Sequence, residues 1–301
     1  MPSMESPERS SFSSQLENRS SNTSLLPPSV ARLWRPAAQR NLRNQWSKLS
    51  SSRAEWVSSS STGRAHATSL VNAFLSQKYV PSMDLGILND MPDIRTKACS
   101  KLFKQQELHC SKLLSSYKDM VTVVTSMVNT SRSMRCYVKG TSNSPIVQFS
   151  SNSEDINDTG DGFGMPVFSF WPISTFEQLA EEFVQMFISE LNLKRLLILE
   201  LLRISNQVNE LHWSDELYPG EFDDLTICNL FSKESCKRIF LGDMENKQDL
   251  PTMQFKSQRD HDTLQVYLTS WLAEVKIDTH RVNEILAIVG EEMHVANLHR
   301  S

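Results

Sequence analysis

The sequence predicts an all-α protein built on a long antiparallel helical hairpin, a coiled coil, with a third helix and a small C-terminal helical pair. Two observations predict this class. Apolar side chains recur at alternating steps of three and four residues along two stretches of roughly 40 residues each. Glycine is scarce, with nine among 301 residues, about 3% against roughly 7% in average proteins. This scarcity disfavours folds with many glycine turns and favours long helices.

The first long helix is expected over residues 37–78, because one side of that stretch carries a heptad seam. The seam is apolar at both ends and weaker in its middle. Its positions are Leu42, Trp46, Leu49, Arg53, Trp56, Ser60, Gly63, Ala67, Leu70 and Phe74. Pro81 and the stretch 86–92 then turn the chain.

The second long helix is expected over residues 93–137, which contain neither proline nor glycine. Its seam positions are Leu102, Gln106, His109, Leu113, Tyr117, Met120, Val124, Met127, Ser131 and Met134. Two long helices with a short connection normally fold back antiparallel. Because Ser60, Gly63, Gln106 and His109 occupy the seam centre, the pattern leaves open whether the hairpin closes within one chain or between two.

The third helix is predicted to start at a capping box formed by Ser174 and Glu177, after which apolar residues recur at helical spacing. The stretch 196–202 is apolar almost all round, so this chain or a partner must cover it on more than one side. A short helix is expected near residues 225–231. Asp262 and Asp278 are expected to cap the two short C-terminal helices.

These elements predict four regions. They are a disordered serine-rich tail (1–35), the hairpin (36–138), a flexible acidic linker (139–167), and a C-terminal helical region (168–301) with a loop-rich insertion at 205–260.

Net charge, targeting signals and cysteine spacing limit the kinds of protein that this sequence can encode. A net charge of −4 disfavours nonspecific DNA binding by the whole chain. The first ten residues include Glu5 and Glu8 and have no apolar core, so no secretory signal is expected, and the apolar stretch 191–204 holds too many charges to span a membrane. The five cysteines are far apart, and we expect reduced thiols in the cytosol or nucleus.

No catalytic constellation is visible in the sequence. It has no phosphate-binding P-loop, no dinucleotide-binding glycine motif and no paired Cys/His spacing suited to zinc. His109, beside Cys110, lies on the second seam, where packing explains it. We therefore predict that the protein is not an enzyme and has no catalytic residue, no cofactor and no metal site.

A basic block lies between Asn18 and Ala54, where no acidic residue occurs. Two interpretations stay open: a footprint for nucleic acid or an acidic partner, or the solvated face of the first helix. The candidate basic patch consists of Arg32, Arg35, Arg40, Arg43, Lys48 and Arg53. Upstream, Ser6 stands in a Ser-Pro-Glu-Arg sequence and Ser14 in a Ser-Gln pair, both candidate phosphorylation sites.

Four segments, and more weakly residues 41–49 of the first helix, resemble in matching order the cyclin-dependent kinase 2-interacting protein family, as in a longer, plant-like member. The four segments are residues 168–176 (FSFWPISTF), the helix end 190–195, residues 267–272 (YLTSWL) and residues 284–291 (EILAIVGE). The resemblance implies a noncatalytic nuclear adaptor in DNA replication and genome maintenance. It implies as partners cyclin-dependent or replication-initiating kinases, checkpoint factors and an AAA ATPase complex that acts on chromatin and ribosome precursors.

The same segments supply candidate binding residues: Trp171, Pro172, Phe176, Lys194, Arg195 and Trp271. Trp171 and Pro172 stiffen the entry to the third helix, and we expect Trp171, Lys194 and Arg195 to border a partner groove, since aromatic and arginine side chains carry much interface energy. The alternative is that the three aromatic residues of this set belong to the core. The alternative function is a nucleic-acid-binding accessory protein that uses the basic block.

Overall fold

A computed structural model describes residues 28–139, 146–148, 159–205, 214–230 and 261–295. The predicted class is confirmed, because the described chain is a long helical hairpin with a third long helix and small C-terminal helices. Ser6 and Ser14 lie outside the described residues, as do residues 1–27 of the predicted tail and most of the insertion predicted at 205–260.

Besides two short 3-10 helices (Val80–Ser82 and Gly86–Asp90), six α-helices and one two-stranded ribbon make up the described structure. They are α1 (Pro28–Tyr79), α2 (Ile94–Arg132), β1 (Tyr137–Lys139), β2 (Ile146–Gln148), α3 (Ile173–Ser205), α4 (Glu221–Ile227), α5 (His261–Ala273) and α6 (Thr279–Glu292). Helices α1 and α2 pack against each other within one chain, and α3 packs along α2. None of the described helices has a stretch that is long and apolar enough to cross a membrane.

The core lies where the two seams meet the apolar stripe of α3. Most of the predicted seam positions are buried, and the largest are Leu42, Trp46, Leu49, Trp56, Leu70, Leu113, Tyr117 and Met120. The ring of Trp46 meets Phe183 edge-on at 6.4 Å between centroids, and Trp56 meets Phe187 at 5.6 Å. The stretch 196–202, predicted to need cover on more than one side, is buried by this chain, except for the exposed Leu196 and the half-buried Glu200.

Helix α1 begins at Pro28, nine residues earlier than the predicted start at residue 37, so the last part of the predicted tail is helical. Pro36 lies inside the helix, where proline ordinarily costs about 3 kcal/mol. Tertiary contacts offset this cost. Trp34 is buried and its indole N–H donates to the carbonyl oxygen of Cys136 at 2.8 Å.

Helix α2 ends at Arg132, five residues before the predicted end. The side-chain amide of Asn41 on α1 donates to the carbonyl oxygens of Ser133 and Met134 at 2.9 and 3.0 Å, which satisfies backbone groups beyond the helix end. The region predicted as a flexible linker (139–167) contains an ordered strand at Ile146–Gln148. Strands β1 and β2 pair antiparallel, with Val138 opposite Val147.

The approach to α3 is ordered as well. Gly162 has a φ of +67°, and a Cβ at this position would lie 2.2 Å from the ring of Trp34. Only glycine fits this turn, both for its left-handed backbone and for the close approach to the indole.

The predicted capping box at the start of α3 is wrong. The helix begins at Ile173, so Ser174 lies inside its first turn. The carboxylate of Glu177 is engaged by the guanidinium of Arg135 at 2.7 and 3.0 Å. A long-range ion pair therefore replaces the local cap, because the segment after α2 brings an arginine to this end of α3.

Of the two caps predicted for the C-terminal helices, one is confirmed and one is wrong. Asp278 caps α6 as predicted, since its side chain accepts from the backbone N–H of Arg281 at 3.0 Å. Asp262 does not cap α5, because that helix already includes His261. The short helix α4 lies four residues earlier than predicted, and Gly220, the N-cap residue just before it, has a left-handed backbone.

Candidate protein-docking site

The connection into α3, which we call the FSFWP loop (residues 168–172), is held by one carboxylate. Glu292, near the end of α6, is buried, and its Oε1 accepts three consecutive backbone N–H groups. The donors are Ser169 at 3.0 Å, Phe170 at 2.7 Å and Trp171 at 3.0 Å. Charge-assisted bonds of this kind are stronger than neutral ones, so the last helix fixes the backbone of the loop.

Helix α1 holds the opposite edge of the same loop. Arg35 donates from Nε to the carbonyl oxygen of Val167 at 2.9 Å and from Nη2 to that of Phe168. Gln39 donates to the carbonyl oxygen of Val167 at 2.8 Å. The guanidinium of Arg43 lies over the ring of Phe168, 5.0 Å from its centroid. Backbone donors and acceptors of the loop are therefore tied to two separate helices.

The aromatic side chains of this loop and of the first turn of α3 differ in their exposure to solvent. Phe168 and Phe176 are buried and Trp171 is half-buried, with its ring 5.5 Å from that of Phe176. Phe170 is 78% exposed. A large apolar side chain presented to solvent on a rigid backbone is typical of a contact residue for another protein.

A groove with a volume of about 650 Å³ runs beside the loop. One wall is the first part of α1, including Arg32, Arg35 and Pro36, and the other is formed by Met165, Pro166 and Ser169. Phe170 follows Ser169 in the chain. We use the name loop surface for the groove, its two guanidinium groups and the exposed side chain of Phe170.

The structure contradicts the expectation that Lys194 and Arg195 border a surface groove, because both are buried. Lys194 lies in an ion pair with Glu190 one helical turn away, at 3.1 Å, and donates to the carbonyl oxygen of Trp271 at 2.5 Å. Burial lowers the pKa of Lys194 and raises the pKa of Glu190. These groups tie α5 to α3 inside the fold.

Arg195 belongs to a second buried network. Its Nε donates to Oε1 of Glu221 on α4 at 2.7 Å, and the hydroxyl of Tyr117 on α2 donates to the same oxygen at 2.6 Å. Burial, and then the neighbouring Glu221, raise the pKa of Tyr117 well above its ordinary value. The network joins three helices and offers no surface to a partner.

Trp271 is also a core residue, as the alternative interpretation held. Its indole N–H donates to the carbonyl oxygen of Ser60 on α1 at 2.9 Å, and its ring lies 4.7 Å from the ammonium of Lys194. Among the candidate binding residues, Trp171 and Pro172 are half-buried, and Phe176 is fully buried. Of these six candidates, only Trp171 and Pro172 are partly accessible beside the loop surface.

The basic patch is divided by the fold. Arg32, Arg40 and Lys48 are exposed on α1. Arg35 and Arg43 bind backbone carbonyl groups, the latter that of Met293 at 3.2 Å. Arg53 is half-buried, and burial lowers the pKa of its guanidinium. Part of the block is thus structural, and part remains on the surface.

Sequence reasoning missed Glu292 and Phe170. A signal for Glu292 existed, since it follows Val282, Ile285 and Val289 on the apolar stripe of α6, where an ionised side chain requires a buried partner. For Phe170 the sequence holds no such signal, because burial of its aromatic neighbours depends on a loop fixed by distant residues.

In the described residues, no group of three or more His, Cys, Asp or Glu side chains is arranged to hold a metal ion. No protein-family model matches this chain, and no curated protein is significantly similar to it. The functional assignment therefore rests on the geometry of the loop surface and on the resemblance noted in the sequence.

Proposed function

We propose that this protein is a noncatalytic adaptor that binds other proteins through its loop surface. The observation that carries the proposal is Phe170, a 78% exposed aromatic ring on a backbone fixed by Glu292 and Arg35. Exposed aromatic residues are frequent anchors of protein interfaces. A preordered loop also loses little conformational entropy on binding, which favours affinity.

The cellular setting of the proposal comes from the resemblance to the cyclin-dependent kinase 2-interacting protein family. We place the adaptor in the nucleus, in DNA replication and genome maintenance. Its proposed partners are a cyclin-dependent or replication kinase, a checkpoint factor and an AAA ATPase complex. The FSFWP loop lies within the segment that carries the resemblance, so sequence and geometry support the same surface.

The alternative function, nucleic-acid binding by the basic block, is less well supported. Arg43 donates to the carbonyl oxygen of Met293 and its guanidinium lies over the ring of Phe168, while Arg53 is half-buried. A nucleic-acid surface would use such guanidinium groups to contact phosphates. The other described cations of the block, Arg32, Arg35, Arg40 and Lys48, form a smaller electrostatic footprint than the sequence indicates.

The proposal is tested by affinity purification of the tagged chain from dividing cells, read by mass spectrometry. The variant is Phe170→Ser, which changes an exposed side chain and leaves the bonds to Glu292 in place. A matched control is Phe103→Ser, an exposed phenylalanine on α2, on the order of 50 Å away along the hairpin.

We expect a cell-cycle kinase or an AAA ATPase to be recovered with the unaltered chain and with Phe103→Ser, and to be lost with Phe170→Ser. Equal recovery of these partners by all three chains would refute the loop surface as the docking site. Recovery only of nuclease-sensitive proteins, in amounts unaffected by Phe170→Ser, would favour the nucleic-acid alternative.

A further inference from the structure

We propose that the loop surface takes a short acidic segment of its partner protein, with carboxylates placed against Arg32 and Arg35 and an apolar side chain against Phe170. This inference rests on the proposed function and names the chemistry of the partner. Three features support it: the positive charge of the groove, the apolar residues in its walls and the hydrogen bonding of its two arginines.

The groove has a positive lining. Arg32 and Arg35 are the ionised residues among those that line it, and no carboxylate is among them. The sequence reinforces this charge, because no acidic residue occurs between Asn18 and Ala54 while Arg40 adds a further exposed cation on α1. A partner with a compensating negative charge is favoured both in approach and in the complex.

The walls between these charges are largely apolar. Ala31, Pro36, Met165 and Pro166 line the groove, and its volume of about 650 Å³ lies within the usual range for ligand pockets. Phosphate groups of a nucleic acid would leave these walls without an apolar partner. A peptide that combines carboxylates with an apolar side chain matches both features of the groove.

The two arginines differ in a way that suits such a peptide. Arg35 is already oriented by the carbonyl oxygens of Val167 and Phe168, so its guanidinium is held in place before binding. Arg32 is exposed, and no hydrogen bond or ion pair joins its side chain to another described residue. Among the described residues nothing occupies the donors of Arg32, and a guanidinium group can bind a carboxylate in the two-pronged geometry that it favours.

The test is selection from a phage-displayed library of random peptides, about twelve residues long, on the full-length protein. Bound phage are counted also on the Arg32→Glu variant and on Lys48→Glu. Lys48 is exposed on the same helix but does not line the groove, so Lys48→Glu makes the same charge change away from the site.

We expect the selected peptides to carry a surplus of Asp and Glu beside an apolar residue. A synthetic peptide of the best sequence should bind about tenfold more weakly to Arg32→Glu and to Phe170→Ser, and equally well to Lys48→Glu. Replacing its Asp and Glu by Asn and Gln should weaken binding by a similar factor, and added salt should weaken it as well.

Selection of neutral or basic peptides, or of none, would overturn the acidic partner. An equal loss with Lys48→Glu would also overturn it, because the effect would then come from general charge. Tighter binding of a labelled single-stranded oligonucleotide than of the best peptide, again sensitive to Arg32→Glu, would assign the groove to nucleic acid instead.

These outcomes are separable from failure of the proposed function. If the cellular partners depend on Phe170 while the selected peptides are not acidic, the adaptor function stands and only the partner chemistry is wrong. If acidic peptides bind in the groove but no cellular partner depends on Phe170, the groove stands and the adaptor function is wrong.

Discussion

The ammonium group of Lys194 donates to the carbonyl oxygen of Trp271 across 2.5 Å, near the last turn of α5. Glu190 completes the arrangement: it pairs with Lys194 at 3.1 Å and accepts from the backbone N–H of Lys276 at 2.9 Å. Two ionised side chains therefore connect α3 with the C-terminal helices inside the fold, in a segment whose sequence suggests a surface role.

Substitution of Lys194 by Met should destabilise the protein by about 3 kcal/mol, because it leaves the buried carboxylate of Glu190 without its counter-ion. The double variant Lys194→Met/Glu190→Gln should recover at least half of this loss, since the glutamine oxygen still accepts from Lys276. Urea unfolding of the four proteins in the cycle measures both effects.

The exposed pair of Arg281 and Glu182 supplies the control for this cycle. Arg281→Met should change the urea midpoint little, since solvent and salt screen a surface pair. Strictly additive losses for Lys194→Met and Glu190→Gln would contradict the coupling inferred for the buried pair.

Removal of the Glu292 carboxylate should release the FSFWP loop. Glu292→Ala removes the acceptor of three backbone N–H groups and should cost about 2 kcal/mol. Hydrogen–deuterium exchange should show that the amides of residues 169–171 lose protection. Glu291→Ala is the control, since Glu291 is exposed and adjacent. Unchanged protection in Glu292→Ala would show that α1 alone holds the loop.

Gly63→Ala should destabilise the protein although it lies within a helix. Such a change in an exposed helix ordinarily gains about 0.5–1 kcal/mol. At Gly63, however, the new Cβ would lie 2.7 Å from Cζ2 of Trp271, so the indole must move. We expect a loss of about 1–3 kcal/mol, measured by thermal unfolding.

A nearby control separates this clash from helix propensity. Ser61→Ala changes an exposed position of the same helix turn and should shift the melting temperature only slightly. A stabilising Gly63→Ala would refute the close packing of Trp271 against α1.

The thiol of Cys136 should make stability sensitive to alkaline pH. Burial raises the pKa of Cys136 from 9.0 to about 12 in the folded state. Because the folded pKa lies above the unfolded one, this contribution is fully present below pH 9 and is lost as the pH rises toward 12. Between pH 8 and pH 10, the stability of the unaltered chain relative to Cys136→Ala should fall by about 1.4 kcal/mol.

The measurement is urea unfolding of both proteins at the two pH values. Cys99→Ala is the control, because Cys99 is half-exposed. A stability difference between the unaltered chain and Cys136→Ala that stays constant over this range would mean that the thiol is accessible in the folded protein.

Much of the fold follows from periodicity that is visible in the chain. The seams through Trp46 and Tyr117 predict the two long helices and their contact, and the structure buries both residues. Helix ends are less predictable, because they depend on distant partners. The side-chain amide of Asn41 donates to carbonyl groups beyond the end of α2. The guanidinium of Arg135 binds the carboxylate of Glu177, which the sequence predicted to cap its own helix.

The candidate site could be predicted only in part. The sequence singles out Trp171 and Pro172, which lie in the FSFWP loop. It cannot separate Lys194, which is buried, from a surface lysine, because the environment of a charged side chain is decided by the elements packed over it. Its position one turn after Glu190, on an apolar stripe, was the available indication of burial.

The sequence by itself determined the helical class, the hairpin and the apolar stripe of α3, because each depends on the repeat of side chains along one helix. Tertiary structure alone decided which polar side chains form hydrogen bonds and ion pairs inside the fold and which lie on the surface, where a partner can contact them. Glu292 and Arg35 lie 257 positions apart in the chain, yet both hold the FSFWP loop. Hydrogen bonds between such distant groups form only after the helices have packed, and it is they that leave Phe170 exposed.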